Sequence, residues 1–154
     1  MAKPDEARSA ARPERSGTLP FALLLGLGSA ASTSSVREHV LAGLPFAAFE
    51  RLRESLELPP GELAELVQIA PRTLDRRRRE GRLQPVESDR LVRAARVVAD
   101  AIELFEGDRE AARRWLERPS SALGGVTPLV MARTEIGARE VEQLIGRLEH
   151  GVVS

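Results

Sequence analysis

Apolar residues in this chain recur at intervals of three and four, and the strict alternation of a half-buried strand is nearly absent. Leu91, Ala95, Val98, Ile102 and Phe105 follow one another at four-three-four-three spacing, and Val97, Ala101 and Leu104 widen that stripe. They predict a helix of about Glu87 to Phe105 that forms the spine of the core. Val141, Leu144, Ile145 and Leu148 repeat at i, i+3, i+4 and i+7 and predict a last helix of about Ala138 to Glu149, with Gly151 as its stop. Phe49, Leu52 and Leu56 predict a helix of about Pro45 to Leu56, and a shorter one starts after Ser34 or Ser35 and ends at Gly43.

Prolines punctuate the middle of the chain. Pro59-Pro60 stops one helix and opens the next, which carries Leu63, Leu66 and Val67. Pro71 opens a third, with Leu74 inward, that ends before Gly81. Asp108 is placed to N-cap a helix bearing Ala111, Ala112, Trp115 and Leu116, and Trp115 reads as core. Pro119 to Val126 reads as a loop with Gly124-Gly125 as its turn, and Thr127-Pro128 as a cap followed by a first-turn proline. The expectation is an all-α, compact multi-helix fold. It divides into a disordered or loosely docked tail (1–34), a helix-turn-helix-like part (35–86) and a C-terminal helical part (87–154).

The helix-turn-helix expectation rests on Leu63, Ala64, Leu66, Val67, Ile69 and Leu74, whose spacing suits a bracing helix, a tight turn and a second helix for the major groove. Small Ala64 lets the two helices approach. Two positions depart from the ideal. Gln68 stands where a left-handed residue is wanted, at about 1 kcal/mol. Ala70, at the cap of the second helix, has no side-chain oxygen to offer.

Charge sharpens the picture at that second helix. Six arginines lie between Arg72 and Arg82 against Asp75 and Glu80, in a chain of zero formal net charge. With Leu74 inward, Arg72, Arg76 and Arg79 share an outward face, and Thr73, Arg77 and Glu80 a neighbouring one. Arginine takes guanine edges or phosphate, and threonine takes a base edge or backbone oxygen. The candidate DNA-binding residues are therefore Arg72, Thr73, Arg76, Arg77 and Arg79. A solvated, ion-paired helix face is the competing reading.

Composition closes off most other chemistry. The 154 residues hold no cysteine and two distant histidines, His39 and His150, so no thiolate zinc site, disulfide or cysteine nucleophile is available. No phosphate-binding, nucleophile-elbow or metalloprotease motif occurs. No cofactor, metal or catalytic residue is expected. Arg8, Arg12 and Arg15 before the apolar run Leu19 to Leu27 resemble a signal peptide. Pro20 and Gly26 interrupt that run, and it is too short to span a bilayer. We read it as an apolar patch docking on the core, after a disordered Met1–Ser16 tail, in a cytoplasmic protein without membrane contact.

Several stretches then carry a family. They are Gly43-Leu-Pro; Pro71-Arg-Thr-Leu; Glu87-Ser-Asp-Arg-Leu91; Ala111 to Leu116, ending Trp-Leu; Ala122-Leu-Gly-Gly-Val-Thr-Pro-Leu129; Thr134-Glu-Ile-Gly-Ala-Arg-Glu-Val141; and Arg147-Leu-Glu-His-Gly-Val152. From about Val36 to Val153 the chain resembles antitoxins of the MbcA/ParS/Xre group, partners of RES-domain toxins. The resemblance implies an all-helical type II antitoxin that sequesters an NAD-consuming toxin, forms a homodimer and binds operator DNA to repress its own operon. It also implies that the C-terminal end lies over the toxin's NAD cleft, assigning Arg147, Glu149, His150, Gly151, Val152, Val153 and Ser154 to toxin contact. From the residues alone, Gly151 is equally a helix stop, His150 an exposed tail residue and His39 incidental. A stand-alone helix-turn-helix regulator is the alternative function.

Overall fold

Prolines and capping side chains set the helix boundaries. The structure, a computed structural model, describes residues 19–151. The expected Met1–Ser16 tail and the contact residues Val152, Val153 and Ser154 lie outside them. Among the described residues the helices are α1 (Pro20–Leu24), α2 (Thr33–Ala42), α3 (Phe46–Ser55), α4 (Pro60–Leu66), α5 (Pro71–Glu80), α6 (Pro85–Leu104), α7 (Arg109–Leu116), α8 (Pro128–Met131) and α9 (Glu135–Glu149), with one 3-10 turn at Ser121–Leu123. No sheet forms among them; two isolated bridges pair Pro45 with Arg82 and Ser120 with Val126.

Three starts lie earlier than periodicity predicts, each because a polar side chain caps the helix before its apolar stripe begins. Ser32 and Ser35 exchange side-chain-to-backbone hydrogen bonds of 2.8 and 3.1 Å, so α2 opens at Thr33. The Glu87 carboxylate accepts from the Gln84 N–H at 2.8 Å, and α6 opens at Pro85. Thr134 Oγ1 accepts from Gly137 N–H at 3.0 Å, and α9 opens at Glu135 rather than Ala138. Asp108 and Thr127 cap α7 and α8 as their positions predict.

α6 is the spine. Leu91, Ala94, Ala95, Val97, Val98 and Ala101 are buried along it, and it packs against α1, α2, α7 and α9. Leu91, fully buried there, contributes about 2 kcal/mol of transfer free energy. The patch around α1 docks on this core through Ala22 and Leu25, both buried. Trp115 packs on the core with its ring 6.4 Å from that of Phe105.

The Gly43-Leu-Pro stretch ties α2 to the α5–α6 connection. Leu44 N–H donates to Ser88 Oγ, and its carbonyl accepts from Leu83 N–H, both at 2.8 Å. Gly43 has φ +86° and sits so close to the Leu83 carbonyl that no Cβ fits.

Candidate interfaces on the arginine helix and the C-terminal helix

The turn between α4 and α5 is closed by two backbone hydrogen bonds. Ile69 N–H donates to the Ala64 carbonyl at 2.8 Å and Gln68 N–H to that of Glu65 at 3.1 Å, with Gln68 at φ +59°. This is a Schellman turn with glutamine in the left-handed place. The Gln68 side chain reaches across the molecule, donating to the Arg133 carbonyl at 3.3 Å, while the Arg133 guanidinium holds Glu65 at 2.7 Å. The strained residue thus also joins the turn to the C-terminal half. Leu63, Ala64, Leu66, Val67, Ile69 and Leu74 are all buried, so α4 and α5 meet as their spacing predicts. Ala70 makes no capping bond. Pro71, which has no N–H to satisfy, reduces what is lost there.

The arginines of α5 separate into distinct environments. Arg72 and Arg79 are exposed and have no ion pair among the described residues, and Arg76 faces Glu80 at a loose 3.9 Å. These three share the outward face, with Thr73 half-buried beside them. Arg78 is held by Asp75 at 3.1 Å and lies 5.4 Å from the centre of the Phe46 ring. Arg77 departs from expectation. It is buried, donating to Glu87 at 2.7 Å and to Glu80 at 3.3 Å. Donating to the Glu87 carboxylate raises the affinity of the guanidinium for its proton. Burial opposes ionisation of Glu87, but Arg77 and the Gln84 N–H outweigh it and hold the carboxyl below the usual range. Arg77 therefore fastens α5 to the start of α6 and presents no free charge to a nucleic acid. Periodicity placed it on a flank of the helix; only the position of Glu87 shows that flank to be covered.

At the other end, α9 is clamped to α6 by charge as well as by apolar packing. Arg93 and Arg96 donate to Glu135 at 3.1 and 3.2 Å, and Arg96 also reaches Glu142 at 3.1 Å. Sequence reading missed this clamp. Its signal was two arginines three apart on α6 and two glutamates seven apart on α9, each pair on one helical face. Further along α6, burial and the charges of Glu142, Glu103 and Glu149 push the Asp100 carboxyl up to about 6. Gly137 lets α9 start tight against α8, because a Cβ there would run into the Met131 carbonyl. Beyond the clamp, Arg147, Glu149, His150 and Gly151 are exposed at the free end of α9, and Gly151 takes φ +67° as a helix stop. Between α4, α7 and α8 lies a groove of about 460 Å³ lined by Leu58, Leu66, Leu129, Glu62, Glu117 and Arg113 among others. Burial and the neighbouring Glu117 raise the Glu62 carboxyl within it.

The geometry defines an all-helical protein with a helix-turn-helix and a C-terminal helical part built on one continuous core. The comparisons agree and narrow the class. Residues 35–96 match the model of the antitoxin Xre-like helix-turn-helix domain. Residues 100–151 match that of the antitoxin Xre/MbcA/ParS C-terminal toxin-binding domain. The chain is 39% identical over 113 residues to an antitoxin Xre of Photorhabdus laumondii, covering 73% of this chain and 76% of that one. It is 38% identical over 131 residues to an antitoxin Xre of Yersinia enterocolitica, covering 84% and 88%. A third antitoxin Xre, from Pseudomonas putida, is 32% identical over 129 residues, covering 83% and 79%. The chain belongs to the Xre antitoxin family. No helix among the described residues is long and apolar enough to cross a membrane.

Proposed function

We propose that this antitoxin neutralises a RES-domain toxin that consumes NAD, by laying the free end of α9 and the residues after it over the toxin's substrate cleft, and that as a homodimer it represses its own operon through α5. The observation that carries the first part is the construction of α9. Its first half is bound to α6 through Glu135 and Glu142, while Arg147, Glu149, His150 and Gly151 stand exposed beyond the clamp. A rigid helix that ends in exposed polar groups reaches a cleft with little ordering cost. Val152, Val153 and Ser154, outside the described residues, are assigned to the same toxin contact. The inhibitor excludes substrate and needs no catalytic group of its own.

Support for the second part is the outward triad Arg72, Arg76 and Arg79, with Thr73 beside it, on the second helix of a helix-turn-helix. Those side chains meet phosphates and base edges when α5 enters the major groove, and a twofold-related copy places a second α5 on the next half-site. The working division is 35–86 for DNA and 87–154 for toxin, within one cytoplasmic protein.

The test is co-expression with the toxin encoded in the same operon, following growth and cellular NAD. The full chain restores both. A chain lacking Gly151 to Ser154 keeps its helical circular dichroism and its melting temperature but loses most of the protection. Full protection by the shortened chain refutes occlusion by the C-terminal end. Failure of the full chain to bind the toxin or restore NAD refutes the choice of toxin and leaves operator binding as the function.

A further inference from the structure

α9 contains two glycines whose surroundings differ. Gly137 has an internal reason, since the Met131 carbonyl occupies the place of a side chain. Gly146 has none: a Cβ built there meets nothing within 4 Å, and its backbone is helical. A glycine inside a helix weakens it relative to alanine and brings no benefit within this molecule. Gly146 lies on the outward side of α9 with Gln143, Arg147 and His150, which together line a shallow, open depression of about 350 Å³. The same side continues back one turn at a time to Ile136, the most exposed of the large apolar residues among those described, at 75%. From Ile136 to His150 this face is about 21 Å long. It carries a bare stretch of backbone near one end and an uncovered isoleucine at the other.

We propose that this outward face of α9 is a docking surface for the toxin, which crosses it main chain to main chain at Gly146 and covers Ile136. The inference rests on the reading of this chain as an antitoxin whose C-terminal end meets the toxin, and extends that contact back along the whole helix. The toxin is the occupant because the face lies entirely inside the segment that matches the toxin-binding domain. It also runs without interruption into the exposed residues at the free end of α9. Absence of a Cβ permits a closer crossing than any other residue, which makes Gly146 a point of shape recognition; Ile136 supplies apolar area.

The substitutions to make are Gly146→Ala, Gly146→Leu and Ile136→Ser, in the full chain, with binding measured calorimetrically against an inactive variant of the operon's toxin. Gly146→Ala raises the melting temperature of the free antitoxin by about 2 °C, since alanine favours the helix and meets no neighbour. The same change weakens toxin binding by about 5-fold, Gly146→Leu by about 30-fold and Ile136→Ser by about 5-fold. A purely internal role for Gly146 does not move stability and affinity in opposite directions. Unchanged affinity of Gly146→Leu, with the wild-type protein binding well, overturns the docking face and leaves the antitoxin reading standing. A shift in the oligomeric state of free Gly146→Leu, with toxin affinity intact, assigns the face to a second copy and also overturns it. No binding by the wild-type protein overturns both.

Discussion

Replacing Arg77 with methionine separates a structural arginine from its outward-facing neighbours. Methionine keeps most of the apolar stem and removes the guanidinium. The side chains of Arg77 and Glu87 are only 10% and 11% exposed, so the carboxylate left behind is poorly placed to recover water. It keeps one donor, the Gln84 N–H at 2.8 Å. The charge-assisted bond at 2.7 Å and the 3.3 Å contact to Glu80 are lost. Breaking a buried pair of this kind costs about 3 kcal/mol, which in a domain of this size lowers the melting temperature by about 6–12 °C. Removing the stranded charge as well, with Arg77→Met and Glu87→Gln together, returns part of that loss, and the double-mutant cycle gives a coupling of about 2 kcal/mol. The Glu87 carboxyl is held below its usual range by Arg77 and Gln84 against the cost of burial. Its contribution is therefore present above the unfolded carboxylate range and lost as pH falls through the depressed folded value, so the single variant and the wild type converge in acid. The assay is thermal denaturation followed by circular dichroism from pH 3 to pH 8, beside operator binding at a temperature where the variant is folded. An unchanged melting temperature with abolished operator binding refutes the assignment and returns Arg77 to the DNA-contact set.

Three further outcomes follow from the same geometry. Changing Arg72, Arg76 and Arg79 together to Ala leaves the melting temperature within about 1 °C and flattens the salt dependence of operator binding by up to about three in slope; a mobility-shift titration at several salt concentrations measures it, and an unchanged slope marks a merely solvated face. Asp100→Asn stabilises the protein above pH 6, because the folded carboxyl is raised to about 6 and its ionisation therefore opposes the fold. After allowance for solvent screening the gain is about 1 kcal/mol at pH 7.5, and it disappears below about pH 4, where both forms are neutral; a gain equal at both pH values rules out the charge explanation. Gly137→Ala destabilises by about 2–3 kcal/mol, since the Met131 backbone must move; a chemical denaturation midpoint equal to wild type refutes the close approach.

Local chemistry in the chain was enough for the existence, order and type of the helices from α2 onward, whereas α1 was legible only as an apolar patch. Prolines fix φ and remove a donor, so Pro60 and Pro71 open α4 and α5 where their positions predict. Apolar residues three and four apart leave a helix no other way to bury them, so the α6 spine and the inward Leu74 followed directly. Caps were harder, because a serine or threonine three residues from a free amide competes with several equivalent choices; α2 and α9 start earlier than their stripes for that reason. Side-chain partners far apart in sequence lay beyond periodicity altogether. Spacing puts Arg93 and Arg96 on one face of α6 and Glu135 and Glu142 on one face of α9, but only the packing of the two helices brings those faces together, as it does Gln68 and Arg133. Arg77 shows the consequence most plainly. Its charge matches that of Arg76 and its face of α5 adjoins that of Arg76, and burial beside Glu87 makes it a brace where Arg76 stays exposed with one loose contact to Glu80. Charge and spacing are properties of a segment, whereas exposure depends on what the rest of the chain folds against it.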